Sequence, residues 1–177
     1  MKRFILILFA IAITTSAFAQ NFSVGARVGS GVEALGQYKL NDKNYIEARI
    51  GTSWANPPFM TIRNVNDILS EHRSYLTADF TALFNWHILD MDWTPRGGIW
   101  FFDAGVGVNV GGRASYLYVG AAGMARLGFT FNNTPITLSV DWTPVFGPAI
   151  RFLEYVTEAV FNEYGLANVG ISATYNF

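Results

Sequence analysis

The feature that constrains this chain most is a hydrophobic period of two that returns in segment after segment. From 167 to the C-terminus, Ala167, Val169, Ile171, Ala173, Tyr175 and Phe177 alternate with Asn168, Gly170, Ser172, Thr174 and Asn176. Successive side chains of a strand point to opposite faces, so this segment reads as a strand with one apolar and one polar face. The same alternation runs through Ile136–Trp142, Leu117–Phe131, Trp100–Val108, Leu76–Trp86, Ile46–Trp54 and Phe22–Val28. A further segment from about Val32 to Leu40 brings the number of strands to eight. Turn-forming runs separate several of them: Asn41-Asp42-Lys43-Asn44, Leu89 to Pro95, and Asn132-Asn133-Thr134-Pro135.

Alternation alone also suits a soluble lipocalin-like barrel or sandwich whose apolar face turns inward. Three features point to the inverted arrangement. The apolar face is nearly free of charge, whereas the polar face collects Arg27, Glu33, Glu47, Arg49, Asp79, Asp103, Arg126 and Asp141. Aromatic residues gather at strand ends: Tyr38, Trp54, Trp86, Trp100, Phe131, Trp142, Tyr175 and Phe177. That placement suits girdles at two membrane interfaces. The segments also have the ~9 to 11 residues, or slightly more, that a tilted transmembrane strand needs.

The start of the chain names a compartment. Lys2 and Arg3 precede an uncharged run from Phe4 to Ile13, and Ala17-Phe18-Ala19 precedes Gln20. This is the pattern of a secretory signal peptide cut after Ala19, and the run is too short for a membrane-spanning helix. The expectation is therefore a leader over 1–19 and, over 20–177, an all-β, eight-stranded antiparallel up-and-down transmembrane barrel. Short periplasmic turns and two long extracellular loops would join its strands in the outer membrane. A chain that is 51% apolar is not disordered, and a net charge of -1 gives no footing for nucleic acid. Having no cysteine, it has no disulfide framework and no thiol chemistry.

The terminal Tyr175-Asn176-Phe177 resembles the recognition signal read by the barrel-assembly machinery of outer membranes. The stretches from Leu40 to Ala48 and from Pro135 to Pro144 resemble a family of small outer-membrane barrels common in Bacteroidetes, related in shape to OmpX and to the OmpA membrane domain. The resemblance spans essentially the whole mature chain. It implies fold and compartment rather than a reactive centre, with outer-membrane lipid and lipopolysaccharide as surroundings.

Eight strands close a barrel that side chains just fill, so the polar face is expected to form a luminal charge network that fixes register and shape. A narrow ion path is the other reading of those charges. No catalytic, cofactor or metal site is evident. His87 falls at the periplasmic end of its strand, whereas, among the lipid-modifying outer-membrane enzymes that the outline also resembles (PagL- or PagP-like in shape), those of the deacylase type need a His and a Ser near the outer leaflet. His72, beside Ser70, Glu71 and Ser74 in the segment 55–74, lacks any supporting motif. The apolar spacing in Asn64–Arg73 suits a short helix over the barrel mouth, and that in Arg151–Tyr164 suits either a helix or an extension of the adjoining strands. Segments 55–74 and 147–163 are accordingly the candidate contacts for an extracellular protein or ligand. The function expected is that of a non-enzymatic structural or surface-interaction barrel; a lipid-modifying enzyme and a narrow channel are the alternatives.

Overall fold

A computed structural model of the chain describes residues 21–54, 76–94, 96–113, 116–152, 157–161 and 166–177. The expected leader and the segment 55–74 with His72 lie outside the described residues. The strands are β1 (Phe22–Gly29), β2 (Gly31–Lys39), β3 (Asn44–Trp54), β4 (Leu76–Met91), β5 (Gly98–Arg113), β6 (Tyr116–Phe131), β7 (Ile136–Trp142), β8 (Val145–Phe146), β9 (Pro148–Phe152), β10 (Thr157–Phe161) and β11 (Val169–Asn176).

β1 to β6 pair antiparallel in sequence order, β11 joins β1 to β7, and β6–β7 pairing closes the ring. β7, β8 and β9 are three pieces of one stave. All three face β6 in a single register, with Ala125 opposite Trp142, Ala121 opposite Phe146 and Tyr118 opposite Ala149. One break falls at Pro144, which has no N–H to give the ladder, although its carbonyl still accepts from the Gly123 N–H at 2.8 Å. The other falls at Gly147. β10 pairs with β9 and continues the stave that β11 completes. The result is a closed eight-stranded antiparallel barrel. Followed from strand to strand, the pairings return to β1 displaced by about ten residues, the kind of stagger that tilted strands require for closure.

Two segments refine the sequence reading. The segment 147–163 is largely strand where described, which is the extension of the adjoining strands and not the helix that its apolar spacing also allowed. β6 is 16 residues long, and its backbone groups beyond β7 need partners, which β8 and β9 supply. The apolar helical spacing yields to that ladder. β4 also runs on to Met91, into the expected turn, past a bulge between His87 and Leu89. The extra residue moves Leu89 to the outer face and returns Asp90 to the inner one.

The two faces are inverted relative to an ordinary soluble fold. Among the described residues, sixteen buried side chains are polar or charged and only six are apolar. Meanwhile Val28, Val32, Ile50 and Ile171 are each more than half exposed. No outward position of β1 to β8 or β11 carries a charge. Aromatic rings collect at the end that holds both described chain ends and the short turns. There Trp93, Trp100, Phe129 and Phe131 form a run of ring contacts with centroids 5.7, 5.0 and 4.8 Å apart. Tyr175–Phe177 and Phe84–Trp86 pair at 5.1 and 5.0 Å, and Tyr38 is exposed at the same end. At the opposite end Trp142 donates its indole N–H to the Leu166 carbonyl at 2.7 Å. Trp54 closes β3 at that end too, its side chain being outside the described residues.

Glycine makes room for the interior. A Cβ at Gly170 would stand 2.5 Å from the guanidinium carbon of Arg27, which three acceptors hold in place. A Cβ at Gly36, on the outer face, would meet only the edge of the Phe22 ring at 3.4 Å. Gly170→Ala should therefore lower the unfolding free energy by about 2 kcal/mol and Gly36→Ala by less than about 0.5 kcal/mol. Urea titration of the barrel folded in detergent measures both, and equal effects would contradict this packing.

Candidate functional site: a luminal charge network

Strand parity places the site. In each of β1 to β7 the residues of one parity turn inward, and at these positions the sequence supplies ions. All eight charged residues of the polar face are buried, none more than 6% exposed. Arg27 and Glu33 stand directly opposite each other across β1 and β2, as do Asp103 and Arg126 across β5 and β6 and Arg126 and Asp141 across β6 and β7.

The central part is an alternating chain. Arg27 donates through Nη1 to Glu33 at 2.9 Å and through Nε to both Asp141 oxygens at 3.0 Å. Its Nη2 reaches the Asn168 side-chain oxygen at 3.1 Å. Arg49 joins Asp141, at 3.4 Å from Nη1, to Glu47, which accepts from Nε. Arg126 then grips the same Glu47 with both terminal nitrogens, at 2.7 and 2.9 Å. Gln37 adds a fourth donor to Glu47 at 2.6 Å, and Thr143 binds both Arg49 and Asp141. Three arginines thus face three carboxylates, and two of those carboxylates are each shared by two arginines. Shared acceptors let every ion keep a partner in a space where an unpaired charge is expensive.

The two remaining acids sit apart from this chain. Asp103 accepts from the Tyr45 hydroxyl at 2.6 Å and contacts His87 Nδ1 at 2.9 Å, while Tyr45 itself accepts from Arg126 at 3.0 Å. Asp79, towards the opposite end, is bound by the Tyr118 hydroxyl, by Ser53 at 3.1 Å, by Thr81 at 3.2 Å and by Asn109 Nδ2 at 3.0 Å. On the β4–β6 side the lumen changes character, and Leu83, Ala122, Met124 and Val145 pack together as an apolar cluster.

Several members of the network are missing from the ion pattern of the sequence: Tyr45, Gln37, Asn109, Thr143 and Asn168. Their signal is the same parity, since Tyr45 lies two before Glu47. A strand taken to start at Ile46 hides it. Glu47 and Arg49 do not form an isolated pair either, because Arg126 shares Glu47. His87 is a rim group with carboxylates on both ring nitrogens, Asp103 at 2.9 Å and Asp90 at 3.1 Å, so no hydroxyl is set against it as a nucleophile. Among the described residues no group of three His, Cys, Asp or Glu is placed to hold a metal ion.

Comparison with protein-family models, with curated proteins and with solved structures finds no match to this chain. Any function must therefore be argued from the barrel itself.

Glu47 supports two arginines and Glu33 one. Glu47→Gln should consequently lower stability by about 4 kcal/mol, more than Glu33→Gln, and Arg49→Met by about 3 kcal/mol, with partial recovery in Arg49→Lys. Denaturant titration in detergent ranks the four variants. Equal, small losses in all of them would show that the lumen is wet enough to screen its charges.

Proposed function

We propose that this protein is an integral outer-membrane β-barrel, non-enzymatic, anchoring an interaction surface at the end opposite the chain termini. The observation that carries the reading is the inversion of faces, in which the charged side chains are buried, most of them in ion pairs, and the strands expose valine, isoleucine, leucine and phenylalanine all round. Monomeric soluble proteins rarely leave more than a few hundred Å² of contiguous apolar surface in water. Lipid removes that cost, and a barrel satisfies its backbone within the ring. The aromatic run Trp93–Trp100–Phe129–Phe131 and the Tyr175–Phe177 pair suit an interfacial girdle on the periplasmic side.

On this reading the leader over 1–19 directs export, and Tyr175 and Phe177, on the outer face of the last strand, present the assembly signal. Membrane lipid and lipopolysaccharide surround the apolar band. Segments 55–74 and 147–163 meet external proteins or ligands, since binding commonly resides on segments held by a rigid scaffold. The kinship with OmpX-like barrels of Bacteroidetes belongs to the same proposal. The ion network and the Leu83–Ala122–Met124–Val145 cluster favour a filled barrel over a channel.

Cell fractionation followed by gel electrophoresis of boiled and unboiled samples tests the placement. The expected result is recovery in the outer-membrane fraction with a heat-dependent mobility shift. Recovery in the soluble periplasmic extract, migrating alike in both states, would overturn it.

A further inference from the structure

The end of the barrel that carries the short turns is not filled. A cavity of about 600 Å³ opens there, floored by Arg126, Tyr45 and Ser139, well above the ~30 Å³ share of one water and within the range of small-molecule pockets. Its two walls differ in chemistry. On β1, β11, β7 and β6, Ser23, Asn176, Thr137 and Thr130 form a hydrogen-bonded arc: Ser23 to Asn176 at 2.8 Å, Asn176 to Thr137 at 3.0 Å, and Thr137 to Thr130 at 2.9 Å. The facing wall, from β3, β4 and β5, holds Tyr45, His87, Phe101, Asp90 and Asp103.

Two details show that the walls are shaped rather than left over. A Cβ at Gly128 would overlap the Phe101 ring, so the bare backbone there seats the ring against the wall. Arg126, 2% exposed, lines the cavity and has a buried Nε–H with no acceptor. The Arg126 terminal nitrogens are committed to Glu47 and Tyr45, which fixes the guanidinium as the floor of the cavity.

We propose that the mouth cavity binds a neutral saccharide of one or two rings. Hydroxyl and amide side chains both donate to and accept from sugar hydroxyls. The carboxylates of Asp90 and Asp103 accept further hydroxyls, and the Phe101 ring offers an apolar face to the C–H side of a pyranose. The titratable lining is mixed, with Lys39, His87 and Arg126 beside Asp42, Asp90 and Asp103, which disfavours an anion or a cation and selects an uncharged ligand. This site is at the end opposite the surface invoked above, and binding to it in detergent is independent of where the barrel resides.

The test is a titration of the intact barrel, folded in a sugar-free zwitterionic detergent, with diacetylchitobiose, followed by NMR of the side-chain amides and by calorimetry. Saturable shifts at Gln37 and Asn176 are expected, with affinity weakened about tenfold in Phe101→Ala. Thr137→Val, which removes a hydroxyl at nearly constant volume, should weaken binding as well. The folded fraction of each variant is read from the same spectra, and Thr137→Val serves as the discriminating variant if Phe101→Ala misfolds. No saturable shift up to the solubility limit of the probe, an equal response to glycerol, or a stronger response to inorganic phosphate would each overturn the proposal.

Discussion

Everything else in this molecule depends on the sharing of Glu47 and Asp141 among three arginines inside a closed ring of strands. Asp141 takes Arg27 and Arg49, and Glu47 takes Arg49 and Arg126, so ions from β1, β3, β6 and β7 meet in one connected chain. Each of these contacts reaches across the lumen or along it. The network can exist only at the register that the backbone ladder sets, and a strand slipped by one residue would turn its own charges to the outer face and leave their partners unpaired. Register and charge pairing therefore specify each other.

The outer face follows from the inner one. Once the ions are turned in, the period of two sends Val28, Val32, Ile50, Val106, Val108 and Ile171 outward, where none of the described residues covers them. A barrel has no free edge, so its backbone is satisfied without help from solvent. What remains is a surface suited to hydrocarbon, ended by indole and phenol rings. The same ring of strands explains why the lumen is plugged in the middle but open at one mouth. The long side chains of Arg27, Arg49 and Arg126 crowd the centre. Towards the turns the inward positions of β1, β6, β7 and β11 shrink to Ser23, Thr130, Thr137 and Thr174, which leave the cavity above Arg126.

Much of this was legible in the sequence, because a strand displays its faces in strict alternation. The inward set of charges, from Arg27 to Asp141, is visible as every second residue. The outward aromatic ends are visible in the same way. Three things were not. Which arginine shares which carboxylate depends on the stagger of the whole ring, a non-local quantity that no single segment carries. The continuation of the seventh stave past Pro144 stayed undecided between helix and strand because the proline and Gly147 interrupt the pattern while β6 holds the register through them. The cavity was hidden too, since serine and threonine at a strand end look the same whether they line a pocket or fill it.

The central claim is that the outward positions meet lipid while the alternate ones meet a buried polar lumen. The chain has no cysteine, so single cysteines introduced along β11 carry one spin label each. In vesicles, labels at 169, 171, 173 and 175 should show high accessibility to oxygen and little to a water-soluble nickel chelate, and labels at 170, 172 and 174 should be protected from both. A period of two in oxygen accessibility is the predicted result. High nickel accessibility at Ile171 and Ala173, in the middle of the strand, would contradict the account.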